Sequence, residues 1–201
     1  PDQAVPCFRR AAQLNASYPE AHFHLGNACK ELKSWHAAVE SYQQAIALKP
    51  DYAEAHNGLG LAFVVQGCLN EAVDCHLRAA QLEPHSARLR NNLGAAYQEQ
   101  GNLDAALLAY RHALDLQADL PETHVNLGNT LKRLGRLDEA RTSYARAIEL
   151  EPDNPHAHLG SSTLQLLQGD FEPGFAQFEW RWKTGQLLSR DFRQPLWNGE
   201  P

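Results

Sequence analysis

The sequence predicts an all-α fold, a solenoid of antiparallel helix pairs. Three observations predict it: a period of 34 residues through most of the 201-residue chain, apolar residues spaced by three and four, and a glycine between the two apolar stretches of each period. Periods of roughly 20–50 residues are typical of repeat proteins, whose units pack only on their neighbours.

The period appears in several independent series of residues. Leu–Gly dipeptides recur with their glycines at Gly26, Gly60, Gly94 and Gly128. Rings recur at Phe8, Tyr42, Tyr110, Tyr144 and Phe178, with His76 at the one interruption. Alanines recur at Ala4, Ala38, Ala72, Ala106 and Ala140, and again at Ala11, Ala45, Ala79, Ala113 and Ala147. Because several independent series share the 34-residue period, they predict a repeated structural unit.

Each unit contains signals for two helices. Glycine ends a helix readily because it adopts the left-handed conformation, and it separates the two halves at Gly67, Gly101, Gly135 and Gly169. Short polar residues that cap or charge a helix start follow at Asn70, Asp104 and Asp138. Prolines that stop the second helix are Pro50, Pro84 and Pro152. The small residues Gly60 and Ala72 are expected to let the two backbones approach.

These signals predict the helix boundaries. First helices are expected near 19–32, 53–66, 87–100, 121–134 and 155–168. Second helices are expected near 36–49, 70–83, 104–117, 138–151 and 172–183, with residues 3–15 as the second helix of a truncated unit. The fifth unit departs from the pattern because its Leu–Gly dipeptide is shifted to Leu159 and Gly160.

The residues of these series resemble the tetratricopeptide repeat family over about residues 1–182. The resemblance implies a right-handed superhelix whose first helices line a concave surface that binds other polypeptides. The predicted divisions are a half repeat 1–18, full repeats near 19–52, 53–86, 87–120 and 121–154, a degenerate repeat 155–182, and a cap or linker 183–201.

The resemblance also implies which side chains face the groove. The candidates are the polar residues around each Leu–Gly dipeptide: Asn27, Asn57, Asn91, Asn92, Asn126, Asn129, Lys132 and Arg133. Amides pair with both N–H and C=O of an extended peptide, so they favour sequence-tolerant binding. Asn92 and Asn126 match the asparagine ladder of O-GlcNAc transferase arrays, whereas His24 and Gly58 occupy the equivalent places in the first two full units. The alternative is a solvated face whose asparagines bond to the local helix backbone.

Composition argues against several other functions. The charge of −6 opposes nucleic acid, and no apolar run is long enough for a membrane helix. Four cysteines without a Cys-x-x-Cys pair indicate a reducing, cytoplasmic compartment. Of the ten histidines, those that recur at the repeat step lie on successive helices rather than around one point: His22, His56, His124 and His158. Neither a metal nor any other cofactor is therefore expected. The chain shows no catalytic motif, and we expect this fragment to be no enzyme.

The C-terminal end is rich in aromatic residues. The segments 169–171, 178–182 and 195–201 resemble the junction at which bacterial repeat arrays enter a glycosyltransferase-like domain. The alternative is a cap that folds over the last helix pair. With no Met and Pro1 at its start, the chain is expected to be an excised piece. The sequence thus predicts a scaffold for a partner protein or extended peptide, or alternatively the substrate-presenting arm of a glycosyltransferase, and open ends that favour self-association.

Overall fold

The computed structural model describes residues 6–8, 10 and 17–184, and within these ranges all regular structure is helical. The α-helices are α1 (Pro19–Glu31), α2 (Trp35–Leu48), α3 (Ala53–Gln66), α4 (Leu69–Leu82), α5 (Ala87–Gln100), α6 (Leu103–Leu116), α7 (Pro121–Arg133), α8 (Leu137–Leu150), α9 (Pro155–Gln168) and α10 (Phe171–Phe178). A 3₁₀ helix follows at Glu179–Thr184. Consecutive helices pair into units one to five, so the predicted all-α solenoid is confirmed.

The helix boundaries agree closely with those predicted from the sequence. Each second helix begins one residue earlier than expected, which places Asp104 and Asp138 inside the first turn, where they charge the helix start. The cap in unit three is instead Asn102, whose side chain accepts a hydrogen bond from the backbone N–H of Ala105 at 3.2 Å. Of the two roles predicted for Asp104 and Asp138, capping or charging the helix start, the structure shows the second.

Four of the five breaks between paired helices use a left-handed glycine, as predicted. Gly67, Gly101, Gly135 and Gly169 have φ values of 77°, 86°, 74° and 86°. The break in unit one has Lys33 at the equivalent position, with a φ of 56°. A residue with a Cβ is disfavoured in this conformation, so unit one contains a strained residue where the other units have none.

The regular spacing of the Leu–Gly glycines has a different cause from the one expected. A Cβ added at Gly94 would lie 2.6 Å from the ring of Tyr110, and one added at Gly60 would lie 2.8 Å from the ring of His76. The ring of the second helix therefore fills the space above each glycine. Gly60 was expected to let the two helix backbones approach each other directly, but the glycine instead makes room for a ring of the second helix.

The alanine series forms the core of each helix pair. Ala38, Ala72, Ala106 and Ala140 are each 0% exposed, as are the rings of Tyr42, Tyr110 and Tyr144. Apolar clusters continue from one unit into the next: Leu107 of α6 and Leu131 of α7 belong to the same cluster. Neighbouring units therefore bury part of each other's apolar face.

Unit five is degenerate for reasons that the side chains explain. Ser162 replaces the usual glycine, and its hydroxyl donates to the carbonyl oxygen of Gly174 at 2.8 Å. The shifted Gly160 contacts Tyr144 of the preceding unit, as Gly58 contacts Tyr42. Its second helix, predicted at 172–183, ends as an α-helix at Phe178 and continues as 3₁₀.

The two ends of the chain are described only in part. At the N-terminus residues 6–8 and 10 are helical, and the ring of Phe8 stacks on His24 at a centroid distance of 5.5 Å. The rest of the predicted helix 3–15 lies outside the described residues. At the C-terminus Trp180 stacks on His158 at 4.1 Å, which joins the 3₁₀ helix to α9. Residues 185–201 of the predicted cap or linker also lie outside the described part.

Candidate functional site

The first helices of successive units line one face of the stack. α1 contacts α3, α3 contacts α5, α5 contacts α7 and α7 contacts α9, whereas the described second helices make no such contacts with one another. Helices that touch lie closer together than helices that do not, so the stack curves toward its first helices. We call this face the groove, and the residues predicted from the sequence lie on its helices.

Four of the predicted asparagines form two hydrogen-bonded pairs across neighbouring first helices. The Nδ2 of Asn92 donates to the Oδ1 of Asn57 at 2.8 Å, and the Nδ2 of Asn126 donates to the Oδ1 of Asn91 at 3.3 Å. Asn57 and Asn91 are each 6% exposed, while Asn92 and Asn126 are half-buried. The Oδ1 atoms of Asn92 and Asn126 accept no hydrogen bond from the described residues, so each pair keeps an acceptor for a ligand.

Two further predicted asparagines are oriented by tyrosines of the second helices. The hydroxyl of Tyr42 donates to the Oδ1 of Asn27 at 2.8 Å, and that of Tyr144 donates to the Oδ1 of Asn129 at 2.7 Å. Burial raises the pKa of both phenols, so both remain neutral donors. With the oxygens engaged, the amide N–H groups of Asn27 and Asn129 are the atoms left to donate.

In unit three Gln98 takes the place of the asparagine as the partner of the buried tyrosine. Its Oε1 accepts hydrogen bonds from Tyr110 at 3.4 Å and from Thr130 of α7 at 2.7 Å. Its backbone oxygen accepts from the guanidinium of Arg133 at 3.2 Å. The predicted Arg133 thus joins α7 to α5 rather than standing alone on the surface.

A pocket of about 540 Å³ lies between α7 and α9. It brings together three of the predicted residues, Asn126, Asn129 and Lys132. The Nζ of Lys132 donates to the hydroxyl of Thr163 at 3.0 Å, and burial lowers the pKa of this ammonium group. The remaining lining residues are Glu122, Val125, Asn154, His156, Leu159, Gly160 and Thr163.

The groove is less polar in its N-terminal half. Phe23 of α1 packs on the ring of Tyr52 at a centroid distance of 5.0 Å. In α3 the groove positions are occupied by Leu61, Val64 and Val65, of which Val65 is 55% exposed. Asn27 lies in this half and is not part of the pocket that contains Asn129. The predicted residues are therefore divided between an apolar and a polar region.

The recurring histidines have a structural role that the sequence did not reveal. The Nε2 atoms of His56, His124 and His158 lie 3.0, 2.9 and 2.7 Å from the backbone oxygens of Pro50, Ala118 and Pro152. Each imidazole therefore bonds to the loop between its own helix and the preceding unit. The constant separation of six residues between ring and carbonyl was the signal available in the sequence.

These features define a helical-repeat protein with a groove of amide side chains. The family model "TPR repeat" matches residues 26–67, 62–101 and 96–135. The family model "Tetratricopeptide repeat" matches residues 121–154. The chain belongs to the tetratricopeptide repeat family. No curated protein matches the chain significantly in sequence.

Solved structures of the same fold include several repeat proteins. YrrB, described as a TPR protein with an unusual peptide-binding site, is 21% identical with a TM-score of 0.70, covering 90% of this chain and 94% of YrrB. TTC0263, a thermophilic TPR protein from Thermus thermophilus, is 28% identical with a TM-score of 0.67, and the match covers 82% of this chain and 90% of TTC0263. PilF, from Pseudomonas aeruginosa, is 19% identical with a TM-score of 0.75, and the match covers 85% of this chain and 78% of PilF.

In the described part of the chain, no helix combines the length and apolar character that spanning a bilayer requires. The resemblance of the C-terminal segments to a glycosyltransferase junction stays a prediction, as do the cytoplasmic location and self-association.

Proposed function

We propose that this chain is a non-catalytic scaffold that binds an extended segment of a partner polypeptide along its groove. The observation that supports it most strongly is the alignment of side-chain amides on adjacent first helices, Asn57 with Asn92 and Asn91 with Asn126. Each pair joins two units, so equivalent amides repeat along the groove. The peptide-binding site described for YrrB is a precedent for this use of the fold.

The spacing of the units suits the repeat of an extended chain. Helices in contact lie about 8–10 Å apart. A chain in the polyproline II conformation rises about 3.1 Å per residue and repeats its orientation every three residues, which is about 9 Å. Equivalent amides in successive units would therefore meet peptide groups of like orientation, three residues apart.

The hydrogen-bonding capacity of the pairs also suits a peptide backbone. Asn92 and Asn126 each donate one N–H to their partner, which leaves a second N–H and the Oδ1. A peptide group presents one donor and one acceptor, and both can be satisfied by one such amide. Recognition of this kind reads the backbone rather than the side chains, so it tolerates many sequences.

The alternative function is the substrate-presenting arm of a glycosyl-transferring enzyme. It uses the same groove, because a protein substrate would be held by the same backbone contacts. The C-terminal segments named above favour it. Any sequence found after residue 201 would distinguish the two, since alternating strands and helices there would favour the enzyme arm.

The test of groove binding removes two amides and measures affinity for a peptide. A ligand is first selected from a display library of unstructured peptides and measured by calorimetry. Each neutral hydrogen bond contributes about 0.5–1.5 kcal/mol, so Asn92→Ala/Asn126→Ala should weaken binding by about 5- to 100-fold. The matched control, Gln43→Ala/Gln44→Ala, removes two exposed amides from second helix α2 and should leave affinity unchanged. Equal affinity of a folded groove variant and wild type would contradict the proposal.

A further inference from the structure

The pocket between α7 and α9 contains a positive charge that backbone binding does not use. Lys132 is half-buried, and its Nζ donates to a neutral hydroxyl, that of Thr163. It also lies 5.9 Å from the centroid of the Tyr144 ring. Among the described residues no carboxylate forms an ion pair with it. Removing a charge from water is unfavourable unless an opposite charge or several dipoles replace the water.

The acidic lining residue of the pocket is too far away to supply that opposite charge. Glu122 lies ten residues before Lys132 on the same helix, which corresponds to about 15 Å along the helix axis. The two charges therefore mark opposite ends of the pocket. A carboxylate brought by a ligand would be attracted to the Lys132 end and repelled from the Glu122 end.

The groups around Lys132 are suited to a carboxylate. Hydrogen-bond donors are available from the Nδ2 of Asn129, whose oxygen is already engaged by Tyr144, and from the ammonium group itself. Arg133, which adds a second positive charge to the last turn of α7, bonds to the backbone oxygen of Gln98. Burial lowers the pKa of Lys132, which indicates that its charged form lacks full solvation.

The position of Lys132 favours an acidic side chain over a chain terminus. Asn126 and Asn129 lie nearer the middle of α7, and Lys132 follows Asn129 by three residues, about 4.5 Å along the helix. A backbone held by the two amides would pass beside Lys132, not end on it. A side chain that projects sideways from that backbone covers this distance.

From this arrangement we infer that the pocket takes the side chain of an aspartate or glutamate of the bound polypeptide, with Lys132 as its counter-ion. The inference rests on the proposed function, since it assigns a side-chain preference to the same groove. Backbone contacts with asparagines then provide general affinity, and this pocket sets the position of an acidic residue.

The test is a double-mutant cycle between Lys132 and the peptide. Starting from a selected peptide, each position in turn is made Glu or Gln, and affinities are measured by calorimetry with wild type and Lys132→Gln. We expect one position at which Glu binds about tenfold more tightly than Gln to wild type, and equally tightly to Lys132→Gln. Glutamine keeps a donor for Thr163, so the variant should fold, which circular dichroism verifies.

The chain offers a matched control for this cycle. Lys30 occupies the position of unit one equivalent to Lys132, three repeats earlier. Lys30→Gln should leave the Glu-to-Gln difference intact. If no position distinguishes Glu from Gln in wild type, or if Lys132→Gln keeps the full difference, the inference is wrong.

The outcomes also separate this inference from the proposed function. A peptide whose binding depends on Asn92 and Asn126 but not on any acidic side chain would overturn the inference alone. A loss of binding on amidating the peptide's C-terminus, without a Glu preference, would show that the pocket takes a chain terminus and would overturn it too. Binding insensitive to both the asparagines and Lys132 would place the ligand elsewhere and overturn both proposals.

Discussion

The second and fourth units differ at two positions that face each other within the helix pair. In unit four the hydroxyl of Tyr144 donates to Asn129, fifteen residues earlier in the chain. In unit two the same positions are His76 and Leu61, and neither ring nitrogen of His76 has a hydrogen-bond partner among the described residues. The imidazole is nevertheless only 1% exposed. The buried polar ring of unit four is therefore hydrogen-bonded, whereas that of unit two has no hydrogen-bond partner among the described residues.

In both units the shape of the second-helix ring, rather than its hydrogen bond, determines how the two paired helices pack. A Cβ added at Gly60 would lie 2.8 Å from the ring of His76, and one at Gly128 would lie 2.7 Å from that of Tyr144. Both rings therefore occupy the space left by a glycine to the same depth. The hydrogen bond adds stability and orients a groove amide, but the fold forms without it.

The same two positions also divide the groove. Where a tyrosine is present in units one and four, its hydroxyl orients an asparagine of the first helix. In unit two Leu61 replaces that asparagine, so this position of the groove is apolar although Asn57 of the same helix still pairs with Asn92. The comparison therefore connects the core of each unit to the chemistry of its groove surface.

The largest expected effect comes from removing the ring that fills the space above the glycine. Tyr144 is 0% exposed, and truncating a buried aromatic typically costs about 3–5 kcal/mol. Tyr144→Ala should lower the free energy of unfolding by about that amount in urea denaturation. Tyr144→Phe keeps the ring and loses only the hydroxyl, so about 1 kcal/mol is expected. An equal decrease in the free energy of unfolding for the two variants would contradict the conclusion that ring shape determines the packing of the helices.

The next effect is a pH dependence specific to unit two. Burial lowers the pKa of His76 from 6.5 to about 4. As pH falls, the unfolded state binds the proton first, so the stability contributed by neutral His76 is complete above about pH 7 and is lost progressively toward pH 4. The loss by pH 5 is about 2 kcal/mol.

The pH effect is measured against a variant that cannot be protonated at this site. His76→Phe keeps a ring above Gly60, and the difference between the two chains in urea-unfolding free energy should grow as pH falls from about 7 to about 5. A difference that stays constant over this range would show that His76 is not buried as a neutral ring.

A smaller effect tests whether unit two can be converted into unit four. Leu61→Asn and His76→Tyr together recreate the pair formed by Asn129 and Tyr144, with the same separation. The double variant should be more stable than the sum of the single changes by about 1 kcal/mol, the worth of one buried hydrogen bond. Simple additivity of the two changes in urea denaturation would show that the second unit cannot form the bond.

The smallest effect concerns the break between α1 and α2. Lys33 has a positive φ where the other units have glycine, so Lys33→Gly should raise the free energy of unfolding by about 0.5–1 kcal/mol. Lys30→Gly, within α1, is the matched control and should lower stability by about 1 kcal/mol. Destabilisation by both substitutions in thermal unfolding would contradict the strain assigned to Lys33.

The fold could be predicted from the sequence because its determinants are local and repeated. Glycine at Gly67 and Gly101, and proline at Pro50 and Pro84, end helices through their own backbone chemistry. The 34-residue period then predicts the position of each residue within its unit. The sequence pattern did not predict that α10 ends at Phe178 and continues as a 3₁₀ helix.

The candidate site could be predicted only in part. The sequence placed Asn92 and Asn126 on the groove by their position beside the Leu–Gly dipeptide, but not their pairing with Asn57 and Asn91. Pairing depends on the offset between neighbouring helices, which a single period does not specify. The environment of Lys132 was also hidden, since Thr163 comes from a unit whose motif is shifted.

Binding of an extended polypeptide by the amides of the groove can be observed at the amides themselves by nuclear magnetic resonance of the side-chain amide groups. A display-selected peptide is titrated into ¹⁵N-labelled protein. We expect the side-chain signals of Asn92, Asn126 and Asn129 to shift with a common affinity, while those of Gln43 and Gln44 on α2 stay unchanged. Shifts confined to the second helices or to α10 would contradict it.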